Sequence, residues 1–153
     1  GLDLLIETVV AALPQGPSYF PAEQITDQPV RFMAAELIRE QVLLSTSEEV
    51  PHSITVVTEQ FEEGKTLTRI AAAIVCDREG QKGILIGRQG QMLKKIGTAA
   101  RQEIERMLGT KVYLELFVKV RPNWRESRAF VEELDWRKQL EHLVSGGTPT
   151  GRT

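Results

Sequence analysis

Three glycines within eight residues constrain the fold of this chain more than any other feature. The segment reads GILIGRQG from Gly83 to Gly90, so successive glycines are four and three positions apart. This spacing does not fit the dinucleotide fingerprint G-x-G-x-x-G, and the phosphate-binding motif G-x-x-x-x-G-K-[ST] does not occur in the chain. The segment instead predicts a tight G-x-x-G turn from Gly87 to Gly90, where residues without a Cβ let another backbone approach closely.

The residues on either side of this turn predict a small α+β domain. Apolar periodicity indicates, in order, a helix starting near 29, strands over 54–61 and 67–76, a polar loop over 77–83, a short helical turn at 84–86, a helix over 91–108, a strand over 112–120 and a helix over 124–143. The first two strands are expected to be antiparallel because a short turn joins them. The three strands should form one sheet with the helices packed on one face.

Composition narrows the class of protein further. The chain has 153 residues, of which 41% are hydrophobic and 26% charged, as in an ordinary globular domain. Its single cysteine, Cys76, cannot form an internal disulfide, which favours a reducing compartment. The longest apolar run, 70–76, is far shorter than the roughly 20 residues of a membrane span. With no secretory leader in the sequence, we expect a cytoplasmic location.

Charge is distributed unevenly along the chain. Residues 1–64 carry 2 basic and 11 acidic side chains, whereas residues 65–153 carry 17 basic and 10 acidic ones. A basic second half beside an acidic first half favours a polyanionic partner for the basic half, although a solvated charged surface explains the same split equally well.

The basic residues concentrate around the glycine turn. Between positions 78 and 101 there are six cations and one anion, Glu79. The N-terminus of the helix after Gly90 favours a phosphate, because its N–H groups and dipole point at the ligand. The residues that we predict to bind RNA are Arg78, Lys82, Gly83, Ile84, Ile86, Gly87, Arg88, Gln89, Gly90, Met92, Lys94 and Lys95.

The order of these elements resembles the KH family of nucleic-acid-binding domains. KH domains clamp about four nucleotides of a single strand with a G-x-x-G loop. A helix–loop–helix that follows two strands and precedes a third is the type II, or prokaryotic, arrangement. We expect the loop to hold phosphates, Ile84, Ile86 and Met92 to line an apolar groove for bases, and the edge of the second strand to read base edges. For Ile84 and Ile86, a place in the helix core is an equally good interpretation.

Other residues that can carry chemistry support weaker hypotheses. His52 and His142 have no companion at metal-ligand spacing, and no catalytic constellation stands out, so we expect neither a metal site nor an enzyme. Trp124 is expected to anchor the C-terminal helix rather than to stack on bases. Gly97 lies in the middle of a helix, where glycine makes the free energy of helix formation ~1 kcal/mol less favourable than alanine does. Close packing on the strand around Ala71–Ala73 would explain it.

Four longer motifs are more specific than the glycine turn. They are FPAEQITDQP from 20 to 29, EEVPHS from 48 to 53, QKGILIGRQGQMLK from 81 to 94, and Lys119-Val120 followed by Asn123-Trp124-Arg125. Together they resemble the family of Era-type GTPases. Asp135-Trp136 departs from this family, which often has Gly-Tyr there.

The resemblance implies a domain organisation. Residues 1–16 would be the last helix of a missing GTPase domain and a linker, residues 17–136 a type II KH domain, and residues 137–153 a helix end and a disordered tail. GTP and Mg²⁺ would bind only to the missing domain, so the chain itself is expected to have no cofactor and no catalytic activity. The partner of the N-terminal helix would be that missing GTPase domain.

The resemblance also implies partners. Members bind the single-stranded 3′ end of small-subunit ribosomal RNA, act in assembly of the small ribosomal subunit and associate peripherally with the inner membrane. An alternative function remains open, in which the basic face docks a protein or an anionic membrane surface and RNA binding is incidental.

Overall fold

The computed structural model describes residues 1–14, 16, 28–46 and 50–135, which form five helices and three strands. In chain order these are α1 Leu2–Ala12, α2 Val30–Ser45, β1 Ile54–Glu62, β2 Leu67–Cys76, α3 Glu79–Ile86, α4 Gln91–Leu108, β3 Lys111–Val120 and α5 Arg128–Leu134. The predicted bounds of β2 and α4 are confirmed to the residue, because strong apolar patterns define both elements.

The three strands form one mixed sheet in the order β1-β2-β3. β1 pairs with β2 in the antiparallel sense that the sequence predicts, with Ile54 opposite Cys76. β2 pairs with β3 in the parallel sense, with Leu67 opposite Lys111. The central strand is therefore β2, and within the described residues β3 leaves one edge unpaired.

The main core lies between one face of the sheet and helices α2, α3 and α4, as the α+β prediction requires. Alternate residues of β2 enter this core, where Ile70, Ile74 and Cys76 are almost fully buried. Ile38 of α2 and Ile96 of α4 pack in the same cluster. Burial raises the pKa of the Cys76 thiol, so this cysteine is a small apolar core residue, as predicted.

A second cluster partly covers the opposite face of the sheet, so α5 departs from the expectation that the helices pack on one face. Ala73 and Val75 pack there against Trp124 and Phe130, whose rings meet edge to face with centroids 6.1 Å apart. The Trp124 indole N–H donates to the carbonyl of Ser53 at 3.2 Å. These contacts confirm that Trp124 anchors the C-terminal segment.

The C-terminal helix begins later than the sequence predicts. Ser127 has an extended backbone, with φ −77° and ψ 93°, so Trp124–Glu126 form a separate 3-10 turn and α5 starts at Arg128. The predicted continuation of this helix to 143 and the tail predicted over 137–153 lie outside the described residues.

Helix α1 is confirmed as a helix, and every one of its residues is exposed. Its apolar side chains include Leu2, Leu5 and Val9, which are more than half exposed. The predicted domain boundary after residue 16 falls on residues 17–27, outside the described part of the chain. None of the described helices has both the length and the apolar character that crossing a membrane requires.

Candidate nucleic-acid interface

Helix α3 leads into the glycine turn and is longer than the sequence predicts. Residues 79–83, predicted as part of a polar loop, belong to this helix. The reason is a side-chain cap, because the Gln81 carbonyl oxygen accepts the backbone N–H groups of Asp77 at 3.0 Å and Arg78 at 3.1 Å. This cap satisfies donors that the start of a helix leaves unpaired.

The turn between α3 and α4 depends on left-handed backbone conformations. Gly87 has φ 70° and ψ −179°, a combination available essentially to glycine alone, and Gly90 has φ 76° and ψ 9°. Gln89 between them is also left-handed, with φ 50° and ψ 29°, which disfavours a residue with a Cβ by about 1–2 kcal/mol. The G-x-x-G segment thus turns the chain sharply and presents its backbone to solvent.

The two glycines of the turn have different surroundings. A Cβ added at Gly87 would lie 2.7 Å from the Cβ of Met92, so the first glycine is required for the turn to close on α4. A Cβ added at Gly90 would meet no atom within 4 Å. The surface at Gly90 is therefore open to an approaching ligand.

The N-terminus of α4 is suited to binding an anion. No side chain caps it, but backbone carbonyls already accept two N–H groups there, since Gly90 donates to the Gly87 carbonyl at 3.3 Å and Gln91 donates to the Arg88 carbonyl. The next N–H groups of the first turn, on Met92 and Leu93, have no intrahelical partner. Five cations lie along the start of α3, the turn and the first turns of α4, and none of them forms an ion pair with the described residues. They are Arg78, Lys82, Arg88, Lys94 and Lys95.

The predicted binding residues differ in their accessibility. The exposed ones are Arg78, Gly83, Ile84, Arg88, Gln89, Lys94 and Lys95. The half-buried ones are Lys82, Ile86, Gly87, Gly90 and Met92. Ile84, at 52% exposure, is an apolar side chain open to a ligand, whereas Met92 packs against the main core and against Gly87.

An open groove of about 400 Å³ runs from the glycine turn between α4 and β3. Of the residues predicted to bind RNA, only Gly90 and Lys94 line this groove. Its other lining residues are Leu93, Gly97, Thr98, Arg101, Leu114 and Leu116. Its floor is apolar and its rim is basic, an arrangement that can hold bases and phosphates together.

Two expectations about the groove were wrong. Gly97 does not pack on Ala71–Ala73, because a Cβ at this position would lie 3.3 Å from Leu116 of β3. The edge of the second strand cannot read bases, because β2 is paired on both sides. Because β3 is the last strand in the order β1-β2-β3, the unpaired edge beside the groove belongs to β3 within the described residues.

The far end of α4 is held to β3 by a carboxylate. Glu105 Oε1 accepts the backbone N–H of Val112 at 3.0 Å, and the same carboxylate pairs with Arg101 at 2.9 Å. The Val112 N–H, with help from Arg101 and Lys111, holds the pKa of the Glu105 carboxyl below its ordinary value. This contact fixes where β3 starts and keeps Arg101 on the rim of the groove.

Sequence reasoning missed several residues of the groove. Leu93, Leu114 and Leu116 carry ordinary amphipathic patterns, which do not distinguish a groove floor from a core. The mid-helix Gly97 was the one local signal. No cluster of His, Cys, Asp or Glu among the described residues is suited to holding a metal.

Comparison with known proteins identifies the family. A model of the KH domain matches residues 49–125, which include the sheet, the glycine turn and α4. The chain is 54% identical over 136 residues to the GTPase Era of Nostoc sp. (strain PCC 7120), covering 89% of this chain and 42% of the relative. It is 53% identical over 138 residues to the GTPase Era of Geobacter metallireducens, covering 89% and 46%. The chain thus spans less than half the length of these relatives.

Solved structures agree with this relation. Aquifex aeolicus Era bound to GDP.AlF4- superimposes with a TM-score of 0.82 at 45% identity, covering 88% of this chain and 46% of that one. Era in complex with MgGDPNP and nucleotides 1506-1542 of 16S ribosomal RNA gives a TM-score of 0.83 with the same identity and coverage. The chain belongs to the KH domain family, in the form that the GTPase Era proteins carry.

Proposed function

We propose that this chain binds single-stranded small-subunit ribosomal RNA near its 3′ end, as part of a GTPase that acts in assembly of the small ribosomal subunit. The observation that carries the proposal is the backbone of the G-x-x-G turn, where Gly90 faces open space at the uncapped N-terminus of α4. The complex of the related Era with 16S ribosomal RNA supports the same partner.

In this proposal the turn binds the phosphate backbone. The N–H groups of Arg88 and Gln89 in the turn, and of Met92 and Leu93 in the first turn of α4, donate to phosphate oxygens, and the helix dipole adds attraction. The five cations, which form no ion pair within the described residues, neutralise neighbouring phosphates and supply affinity that does not depend on sequence.

The groove between α4 and β3 then contacts the bases. Leu93, Leu114 and Leu116 offer an apolar surface on which bases lie. Gly97 has no side chain and lets β3 come close to α4. Unpaired backbone groups along the edge of β3 are placed to hydrogen-bond base edges, so sequence preference comes from β3.

The rest of the parent protein supplies nucleotide hydrolysis. GTP and Mg²⁺ bind to its GTPase domain, and the parent acts in the cytoplasm with peripheral membrane association. The exposed apolar residues of α1 support its assignment to that domain, because burying a Leu or Ile is worth about 1.5–3 kcal/mol.

Removing residues 1–16 tests this assignment. We expect the truncated chain to keep its thermal stability and RNA affinity nearly unchanged and to self-associate less, as measured by melting, RNA titration and sedimentation. Unfolding of the truncated chain would mean that α1 is part of the KH domain itself.

A double substitution in the turn tests the RNA-binding proposal. Arg88→Asp with Gln89→Asp places two carboxylates at exposed positions beside the bound phosphate, and we expect binding of a short single-stranded rRNA fragment to be abolished. The matched control is Arg128→Asp with Ala129→Asp, which makes the same change of charge at exposed positions of the C-terminal segment. Circular dichroism checks that each variant folds.

The outcomes separate the candidate functions. Loss of binding in the turn variant alone supports the proposal. Equal affinity in the turn variant and the wild type overturns it. Binding of the wild type to oligonucleotides of every sequence with equal strength favours the alternative, a basic module for proteins or anionic membranes.

A further inference from the structure

A second basic concavity lies at the opposite end of α4 from the glycine turn. It is open, has a volume of about 500 Å³, and lies where the β1–β2 turn meets the α4–β3 turn. Its lining residues are Lys65, Thr66, Glu105, Arg106, Gly109, Thr110 and Lys111.

Positive charge exceeds negative charge in this concavity. The side chains of Lys111 and Arg106 are 81% and 70% exposed. Both nearby carboxylates are already engaged, since Glu103 pairs with Arg106 and Glu105 accepts the Val112 N–H. Lys111 also lies 3.9 Å from Glu105. Among the residues that line the concavity, three cations, Lys65, Arg106 and Lys111, face one carboxylate, Glu105, so its lining attracts an anion.

The concavity continues the groove that starts at the glycine turn. The same two elements, α4 and β3, line both, and the Arg101–Glu105 ion pair at 2.9 Å joins them. The 18 residues of α4 separate the two ends by about 27 Å. An RNA strand that lies in the groove and leaves it at this end passes directly over Lys111 and Arg106.

We propose that Lys65, Arg106 and Lys111 form a second phosphate-binding site for the same RNA strand, beyond the nucleotides that the glycine turn clamps. This inference rests on the proposed function. The carbonyl end of α4 repels phosphate, so the binding groups are side-chain cations rather than backbone amides. The lining residues include no aromatic ring, so this site adds affinity and length without base preference.

A length series of RNA tests the proposal. The probes are single-stranded fragments from the 3′ end of small-subunit rRNA, of about four and about twelve nucleotides, the shorter matching the length that a KH clamp holds. The variant is Lys65→Gln, Arg106→Gln and Lys111→Gln combined. Its control is Arg69→Gln, Lys119→Gln and Arg128→Gln combined, which removes the same charge from positions outside both concavities.

We expect the variant to bind the shorter RNA like the wild type and the longer RNA about tenfold more weakly. The slope of log K against log salt for the longer RNA should fall by roughly 2, since each phosphate contact on a single strand contributes roughly 0.7. The control should match the wild type with both RNAs.

Each other outcome has one meaning. Equal affinity of variant and wild type for the longer RNA overturns the second site and leaves the proposed function standing. A wild-type slope that does not rise from the shorter to the longer RNA overturns it without any variant. Failure of the wild type to bind either RNA overturns the proposed function itself.

Discussion

The two ends of α4 differ in whether the chain itself pairs the backbone groups and cations found there. At the C-terminus, Gly109 donates its N–H to the backbone carbonyl of Glu105 at 2.9 Å. The nearby cations Arg101 and Arg106 are paired with carboxylates. At the N-terminus, no side chain caps the helix, and Arg88, Lys94 and Lys95 form no ion pair with the described residues. The backbone of the first, closed end is thus completed by the chain itself, so a ligand there meets only side chains, whereas the second, open end presents backbone N–H groups as well as cations to a ligand.

Substituting the first glycine of the turn should alter the open end of α4 more than any other single change. Gly87→Ala places a Cβ 2.7 Å from Met92 in a backbone region that only glycine adopts readily, so the turn must rearrange. We expect a loss of about 1–3 kcal/mol in the free energy of unfolding and at least a tenfold loss of RNA affinity. Urea unfolding and RNA titration measure the two effects.

Gly83→Ala is the matched control for this substitution. Gly83 lies in helix α3, and a Cβ there meets no atom within 4 Å, so alanine should leave the domain equally or more stable. Similar losses of stability for the two substitutions would mean that the geometry of the turn is not what Gly87 provides.

Removing single cations at the open end should have a smaller effect. Lys94→Gln and Lys95→Gln should each lower the slope of log K against log salt by roughly 0.7 without changing base preference. Arg106→Gln, at the closed end, should leave binding of a fragment of about four nucleotides unchanged. A change of base preference in the Lys95 variant would mean that this side chain contacts bases rather than phosphates.

The smallest expected effect is at the closed end, on acid stability. The folded-state pKa of Glu105 is lowered, so its charged form stabilises the fold above the unfolded-state value of about 4.3 and loses this contribution as pH falls. Glu105→Gln should therefore be less stable than the wild type at neutral pH, and the difference should shrink below about pH 4. Thermal melting from pH 3 to pH 7 checks this, and a constant difference across the range would contradict it.

The sequence was most informative where a pattern is local. The alternation of β3 and the amphipathic face of α4 were predicted because side-chain periodicity alone determines them. The start of α3 was missed because Gly80 and Gly83 lower helical propensity, and the cap that Gln81 provides outweighs them.

Long-range pairing could not be predicted from the sequence. Which strand lies in the centre of the sheet depends on the parallel pairing of β2 with β3, and this pairing moved the free edge from β2 to β3. The groove residues Leu114 and Leu116 were missed for the same reason. The glycine turn itself was predicted, but the left-handed conformation of Gln89 was not, because non-glycine residues rarely adopt it.

The central claim, that the open end of α4 holds phosphate through its backbone, can be measured directly by NMR. In a titration of the ¹⁵N-labelled chain with a short single-stranded rRNA fragment, the largest amide shifts should fall on residues 88–93, with smaller ones along β3 at 114–116. Amide shifts that leave residues 88–93 unmoved while RNA binds elsewhere on the chain would contradict the claim.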